Sequence, residues 1–188
     1  MEARGGISVG RIPVFLVGLP GCGKTTLGRA LARSTGLQFV DLDHYIEGRF
    51  SCSVSDIFAR MGEERFRRIE YNLLREVGEM TDVIVACGGG TPCFFDNMDY
   101  MNSRGDTVWL HAGRERLVER LVRAGARRPA IAGLSRAEVG AYVDAAGRSR
   151  EPYYSRSRYS LESSMLECRG EIAETVGRCI DLLGLEYV

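Results

Sequence analysis

Ile12-Pro13-Val14-Phe15-Leu16-Val17-Gly18-Leu19-Pro20-Gly21-Cys22-Gly23-Lys24-Thr25-Thr26 is the stretch that decides the architecture. Ile12 to Val17 is a near-continuous apolar run that ends in glycine, which is how a strand buried on both faces reads. Gly18 to Thr25 then gives a complete phosphate-binding loop. Its glycines let backbone N–H groups converge on phosphate oxygens without obstruction by side chains. From Lys24 to Ser34 the spacing turns helical, with Leu27, Ala30 and Leu31 on one side and Gly36 as the stop signal. The positive end of that helix points at the same anion as the loop. Lys24 can reach the outer phosphates, and the Thr25 hydroxyl can ligate magnesium.

Outward from this stretch, apolar runs alternate with helical patterns. Leu37–Leu42, Asp82–Ala86, Thr107–His111 and the short Tyr159–Leu161 read as strands. Ser53–Met61, Glu63–Val77, Arg114–Val122 and Glu171–Leu183 read as helices, and Ser135-Arg136-Ala137-Glu138 has the spacing of a capping box that opens another. The expected class is α/β with a mainly parallel sheet in one domain over 1–188. Residues 1–11 read as a loose tail. Residues 123–158 are Arg-rich with little apolar content, and read as an excursion from the core such as a lid. Lys plus Arg number 25 and Asp plus Glu 25, so no net charge favours nucleic acid or a membrane surface. No apolar run approaches the roughly 20 residues of a membrane span. Six cysteines lie scattered without a Cys-x-x-Cys pair, which favours reduced thiols in the cytoplasm over a zinc site.

Three further features point to an acceptor site. Asp41-Leu42-Asp43 ends the second strand, and residues two apart on a strand face the same side. Both carboxylates then face the crevice beyond the strand ends, where open α/β sheets bind ligands. One can order a magnesium shell and the other can accept a proton from a hydroxyl; the alternative is that Asp43 caps the next helix. On Glu63–Val77, Phe66, Ile69, Leu73, Leu74 and Val77 share a face that also contains Glu70, with Arg67 one turn away and Arg68 pointing to water. A carboxylate on an apolar face needs a partner. Arg67 supplies it, either as a purely structural ion pair or as a guanidinium oriented for an anionic ligand. Gly88-Gly89-Gly90 is a tight turn or a place of close backbone approach to a ligand. In the Arg-rich segment, Arg128 precedes Pro129 and Arg150 precedes Glu151-Pro152. Such cations stabilise the charge of a transferring phosphoryl group.

The combination is similar to the shikimate kinase family, a branch of the nucleoside-monophosphate-kinase-like phosphate-loop folds. The resemblance covers about residues 12–182. It is carried by the loop at 18–25, Asp41-Leu42-Asp43, Gly62-Glu63-Glu64-Arg65-Phe66-Arg67-Arg68-Ile69-Glu70, Gly88-Gly89-Gly90, Arg128-Pro129 and Arg150-Glu151-Pro152-Tyr153-Tyr154. It implies a three-layer fold with a five-stranded parallel sheet, a helical substrate-binding part over about 43–80 and a mobile lid over about 123–158. It implies ATP held by Gly21, Cys22, Gly23, Lys24, Thr25 and Thr26, with Mg2+ on Thr25 and Asp41 acting through water. Asp43 would bind the shikimate hydroxyls and serve as the candidate base. Arg67 and Arg150 would grip the carboxylate, with Gly88, Gly89 and Gly90 against the substrate. Arg128 would close over the ATP phosphates, with Arg127 as its competitor for that role. Lys24, Asp43 and Arg128 make the implied catalytic set, and Arg120 is expected near adenine. The implied enzyme is a monomer in the cytoplasm that transfers the ATP γ-phosphoryl to the 3-hydroxyl of shikimate, its partners being these two small molecules. Another small-metabolite kinase, such as a gluconate or nucleotide kinase, and a non-catalytic nucleotide-binding protein are the alternatives.

Overall fold

A computed structural model describes residues 11–125 and 131–188. Arg127 and Arg128 lie outside the described residues, as does nearly all of the expected N-terminal tail. Five strands, β1 (Val14–Val17), β2 (Gln38–Asp41), β3 (Val83–Ala86), β4 (Asp106–His111) and β5 (Tyr159–Glu162), form one parallel sheet in the order β2-β3-β1-β4-β5. The helices are α1 (Lys24–Thr35), α2 (Leu42–Phe50), α3 (Val54–Gly78), α4 (Asn97–Arg104), α5 (Arg114–Ala124), α6 (Arg136–Tyr154) and α7 (Arg169–Leu183).

The strand alternation divides the core. Val14 and Leu16 face one side with Ile84, Val108, Leu110 and Leu161, where α1, α5, α6 and α7 pack through Leu27, Leu31, Leu117, Val143, Val176 and Ile180. Phe15 and Val17 face the other side with Val83, Val85 and Cys87, against Leu42, Ile46, Phe66, Leu74 and Met98 of α2, α3 and α4. All four residues of β1 are buried, as expected of the central strand. The chain runs from β1 outward to β2, returns to β3, and then crosses to β4. The crevice beyond the carboxyl end of β1 therefore lies where the strand order reverses.

Several expectations need correcting. The strand expected over Leu37–Leu42 ends at Asp41, and α2, which falls in the helical part that the resemblance implied but that residue patterning did not mark, begins at once with Leu42. Asp43 thus sits in the first turn of a helix rather than on a strand, and it is not the cap, because Asp41 holds that position. Leu42 and Ile46 are fully buried one turn apart, and this packing extends the helix back to the strand. The two helices expected over Ser53–Met61 and Glu63–Val77 join end to end as α3. Ser53 and Asp56 form a capping box at its start, and Gly62 breaks it at φ 78° and ψ 168°. Helix α4 and a 3-10 turn over Thr91–Cys93 were also unanticipated. Within the expected excursion, the helix expected to open at Ser135 runs for 19 residues over 136–154, with Val139, Gly140, Val143, Ala146 and Tyr154 buried. Its inward face is made mostly of small residues, so counting large apolar side chains underestimated its burial. The capping box at Ser135 and Glu138 is present.

Candidate active site

The phosphate loop joins β1 to α1. Gly23 stands just before α1 at φ 102°, a left-handed backbone that side chains disfavour, and a Cβ there would run into Leu166. No side chain caps α1 and no acid occupies its first turn, so its leading N–H groups are left for an anion. The Lys24 ammonium donates to the carbonyls of Gly18 (2.8 Å) and Leu19 (3.0 Å), arching over the loop. Cys22 is fully buried; its N–H donates to Leu19 O, and its sulfur accepts from the Lys24 ammonium at 3.5 Å. The Thr25 hydroxyl donates to Asp41 Oδ2 at 2.8 Å, which ties the start of α1 to the end of β2.

A cleft of about 400 Å³ opens over this loop, lined by Lys24, Thr25, Thr26, Asp41, Asp43, Gly88 and Gly89 together with Arg120 and Leu166. Burial raises the Asp43 carboxyl to about 6. The neighbouring Glu70 and Asp41 carboxylates push the same way, and Lys24 opposes them. A carboxyl poised there changes protonation state at little cost near neutral pH, as a general base must.

The three consecutive glycines each make room for a different charged side chain. A Cβ on Gly88 would lie 3.0 Å from Asp43 Oδ1, and one on Gly89 would lie 3.1 Å from Arg150 Nη1. A Cβ on Gly90 would lie 2.7 Å from Arg67 Nη2. The glycine run is therefore a place of close approach, where α2, α3 and α6 each deliver one side chain to a single bend beyond β3. Arg67 is gripped from several directions. Its Nη1 donates to Glu70 Oε2 at 2.9 Å, its Nη2 and Nε reach Glu63, and its Cζ lies 4.0 Å from the centre of the Phe94 ring. Glu70 is 1% exposed, and Thr91 Oγ1 donates to its other oxygen at 2.5 Å. Both oxygens of this buried carboxylate are satisfied. Asp43, Arg67 and Arg150 thus meet on one side of the phosphate loop. Nothing in the described residues bears on Arg128.

The family model for shikimate kinase matches residues 20–181. The chain belongs to the shikimate kinase family. Shikimate kinases from Parabacteroides distasonis and Bacteroides fragilis are 43% and 44% identical to it; the first alignment covers 90% of this chain and 98% of the relative, the second 93% and 97%. The crystal structure of shikimate kinase from Bacteroides thetaiotaomicron superposes with a TM-score of 0.90 at 41% identity, over 93% of this chain and 99% of that one. The Acinetobacter baumannii shikimate kinase, solved in complex with shikimate, gives 0.80 at 28% identity over 92% of both chains. The expectations of a shikimate kinase and of a five-stranded parallel α/β kinase fold are borne out.

Within this kinase, some supports of the site were not legible in the sequence. Arg120, expected near adenine, has a structural role the sequence did not indicate: it donates to Gly21 O (3.3 Å), Ser163 O (3.1 Å), Ser164 O (2.8 Å) and Glu167 Oε1 (2.8 Å). The buried Ser163 hydroxyl reaches Cys22 O at 2.7 Å. Together they bind the phosphate loop to the segment after β5. Tyr154 is buried and donates to Gly89 O, so α6 fixes the glycine run as well as delivering Arg150. Only the Arg-Glu-Pro-Tyr-Tyr signature hinted at Tyr154, and no sequence signal marked Ser163 or Thr91.

Proposed function

We propose that this shikimate kinase transfers the γ-phosphoryl group of ATP to the 3-hydroxyl of shikimate, giving shikimate 3-phosphate and ADP. One observation carries the reading: Asp43, Arg150 and Arg67 abut Gly88, Gly89 and Gly90 in turn, beside the phosphate loop. An acceptor with a carboxylate at one end and hydroxyls at the other matches two guanidinium groups and one raised carboxyl in that sequence.

In this reading the loop N–H groups and the start of α1 hold the ATP phosphates, and Lys24 turns from the loop carbonyls to the outer phosphates. Arg67 and Arg150 bind the shikimate carboxylate and so place the 3-hydroxyl toward Asp43. Asp43 orients that hydroxyl and accepts its proton as the oxygen attacks phosphorus and the bond from phosphorus to the bridging oxygen of ADP breaks. Thr25 Oγ1 and Asp41 Oδ2, 2.8 Å apart, are hard oxygen donors that suit Mg2+, with Thr25 as direct ligand and Asp41 acting through water. Magnesium, when bound, offsets charge on the β- and γ-phosphates. Arg128 is assigned by the family resemblance to the phosphates. A monomer acting in the cytoplasm belongs to the same proposal.

The test is ADP release coupled to NADH oxidation, with shikimate, gluconate, a nucleoside monophosphate or no acceptor. Turnover is expected with shikimate and magnesium and not with the others. No turnover with shikimate, or better turnover with gluconate, would overturn the assignment.

A further inference from the structure

Thr91 stands immediately after the glycine run and is fully buried. Its backbone is held twice: its N–H donates to Gly88 O at 3.1 Å, and Asn97 Nδ2 donates to its carbonyl at 2.9 Å. Asn97, itself fully buried, accepts in turn from Arg75 Nη1 at 3.1 Å, and Arg75 also pairs with Asp96. Thr91 is therefore anchored to α4 and to the far end of α3. Its hydroxyl donates to Glu70 Oε1, while Glu70 Oε2 takes Arg67. Glu70 is the one acidic residue among the described residues that is almost wholly buried, at 1% exposed, and these two bonds satisfy its two oxygens. Arg67 has a second, rival partner in Glu63, whose side chain is 59% exposed and lies one turn back toward solvent.

We propose that Thr91 is a positioning residue for the acceptor site, its hydroxyl locking Glu70 so that Glu70 rather than Glu63 sets the direction of the Arg67 guanidinium. This rests on the reading of Arg67 as a carboxylate clamp for shikimate. Removing the hydroxyl leaves Glu70 Oε1 buried without a donor. The carboxylate then turns to find another donor, its hold on Arg67 slackens, and Arg67 moves toward Glu63 and solvent. The loss falls on acceptor binding. The phosphate loop is held separately through Arg120 and Ser163, so ATP binding is spared.

Thr91→Val keeps the side-chain shape and deletes the hydroxyl; Thr91→Ala deletes it without adding bulk; Thr91→Ser keeps it. Steady-state kinetics on the three variants and the parent separate the possibilities. Parent turnover with shikimate is the prior condition, and its absence would count against the functional assignment rather than against Thr91. Given that turnover, Val and Ala variants are expected to raise KM for shikimate about tenfold, with KM for ATP and kcat within about threefold of the parent. The Ser variant is expected to restore the parent KM. An unchanged shikimate KM in whichever of Val or Ala is obtained folded would overturn the proposal. So would a parallel rise in both KM values, or a Ser variant as impaired as Val, because either result means packing rather than the hydroxyl.

Discussion

Replacing Asp43 by asparagine is expected to make the protein more stable and catalytically dead. The Asp43 carboxyl titrates at about 6 in the native cleft rather than at 3.8, chiefly because it is buried, with Glu70 and Asp41 adding to the effect. At ~1.4 kcal/mol per pKa unit, that difference is about 3 kcal/mol of unfavourable free energy for holding the charge in place. The folded state binds this proton more tightly than the unfolded chain does. The corresponding stability is fully present below about pH 3.8 and is lost as pH rises through about 6. Above pH 7 the parent carries the whole cost, whereas asparagine carries no charge at any pH. Asp43→Asn should therefore be about 2–3 kcal/mol more stable than the parent at pH 8, about half as much at pH 5, and nearly equal near pH 4. Urea unfolding followed by the fluorescence of Trp109, the single tryptophan, measures this at each pH. Turnover with shikimate should be absent from the variant while ATP binding persists. Equal midpoints at pH 8, or a stabilisation that does not change between pH 4 and pH 8, would refute the claim that Asp43 is held as a strained charge. Retained turnover would remove it as the base.

Other outcomes follow from the same geometry. Arg67→Lys keeps a positive charge but loses the fork shared by Glu70 and the acceptor; shikimate affinity measured by calorimetry should fall about tenfold or more, while ATP affinity holds. Gly90→Ala puts a methyl group 2.7 Å from Arg67 Nη2, and kcat/KM for shikimate should drop at least tenfold with little change in KM for ATP. In the pH profile of the parent, kcat/KM for shikimate should decline about tenfold per unit below about pH 6, because Asp43 must be ionised to accept the proton; a flat acid limb would contradict that role.

Much of the architecture was legible because each strand and helix carried its own period and punctuation. Val14–Val17 is apolar at every position and proved to be the central strand, and Gly36 ends α1 with a left-handed backbone at φ 70°. The break between the halves of α3 was visible at Gly62 for the same reason. What escaped was decided by neighbours. Helix α2 starts at Leu42 because Leu42 and Ile46 bury into the sheet, and that contact overrides the strand reading of Asp41-Leu42-Asp43. The start of α6 was legible from its capping box, but its burial was not, because Val139, Gly140, Val143 and Ala146 are small and only Tyr154 among its buried residues is large.

The candidate site divides along the same line. The sequence by itself determined the phosphate loop, since strand, glycines, Lys24, Thr25 and helix are contiguous and their backbone geometry is local. It also paired Arg67 with Glu70, because helical spacing alone brings residues three apart together. Only the tertiary structure decided that Asp43, Arg67 and Arg150, from three separate helices, converge on three successive glycines. It also decided that Thr91, 21 residues beyond Glu70, completes that carboxylate's hydrogen bonding. Such long-range meetings depend on how the helices pack against the sheet, and no local period records them.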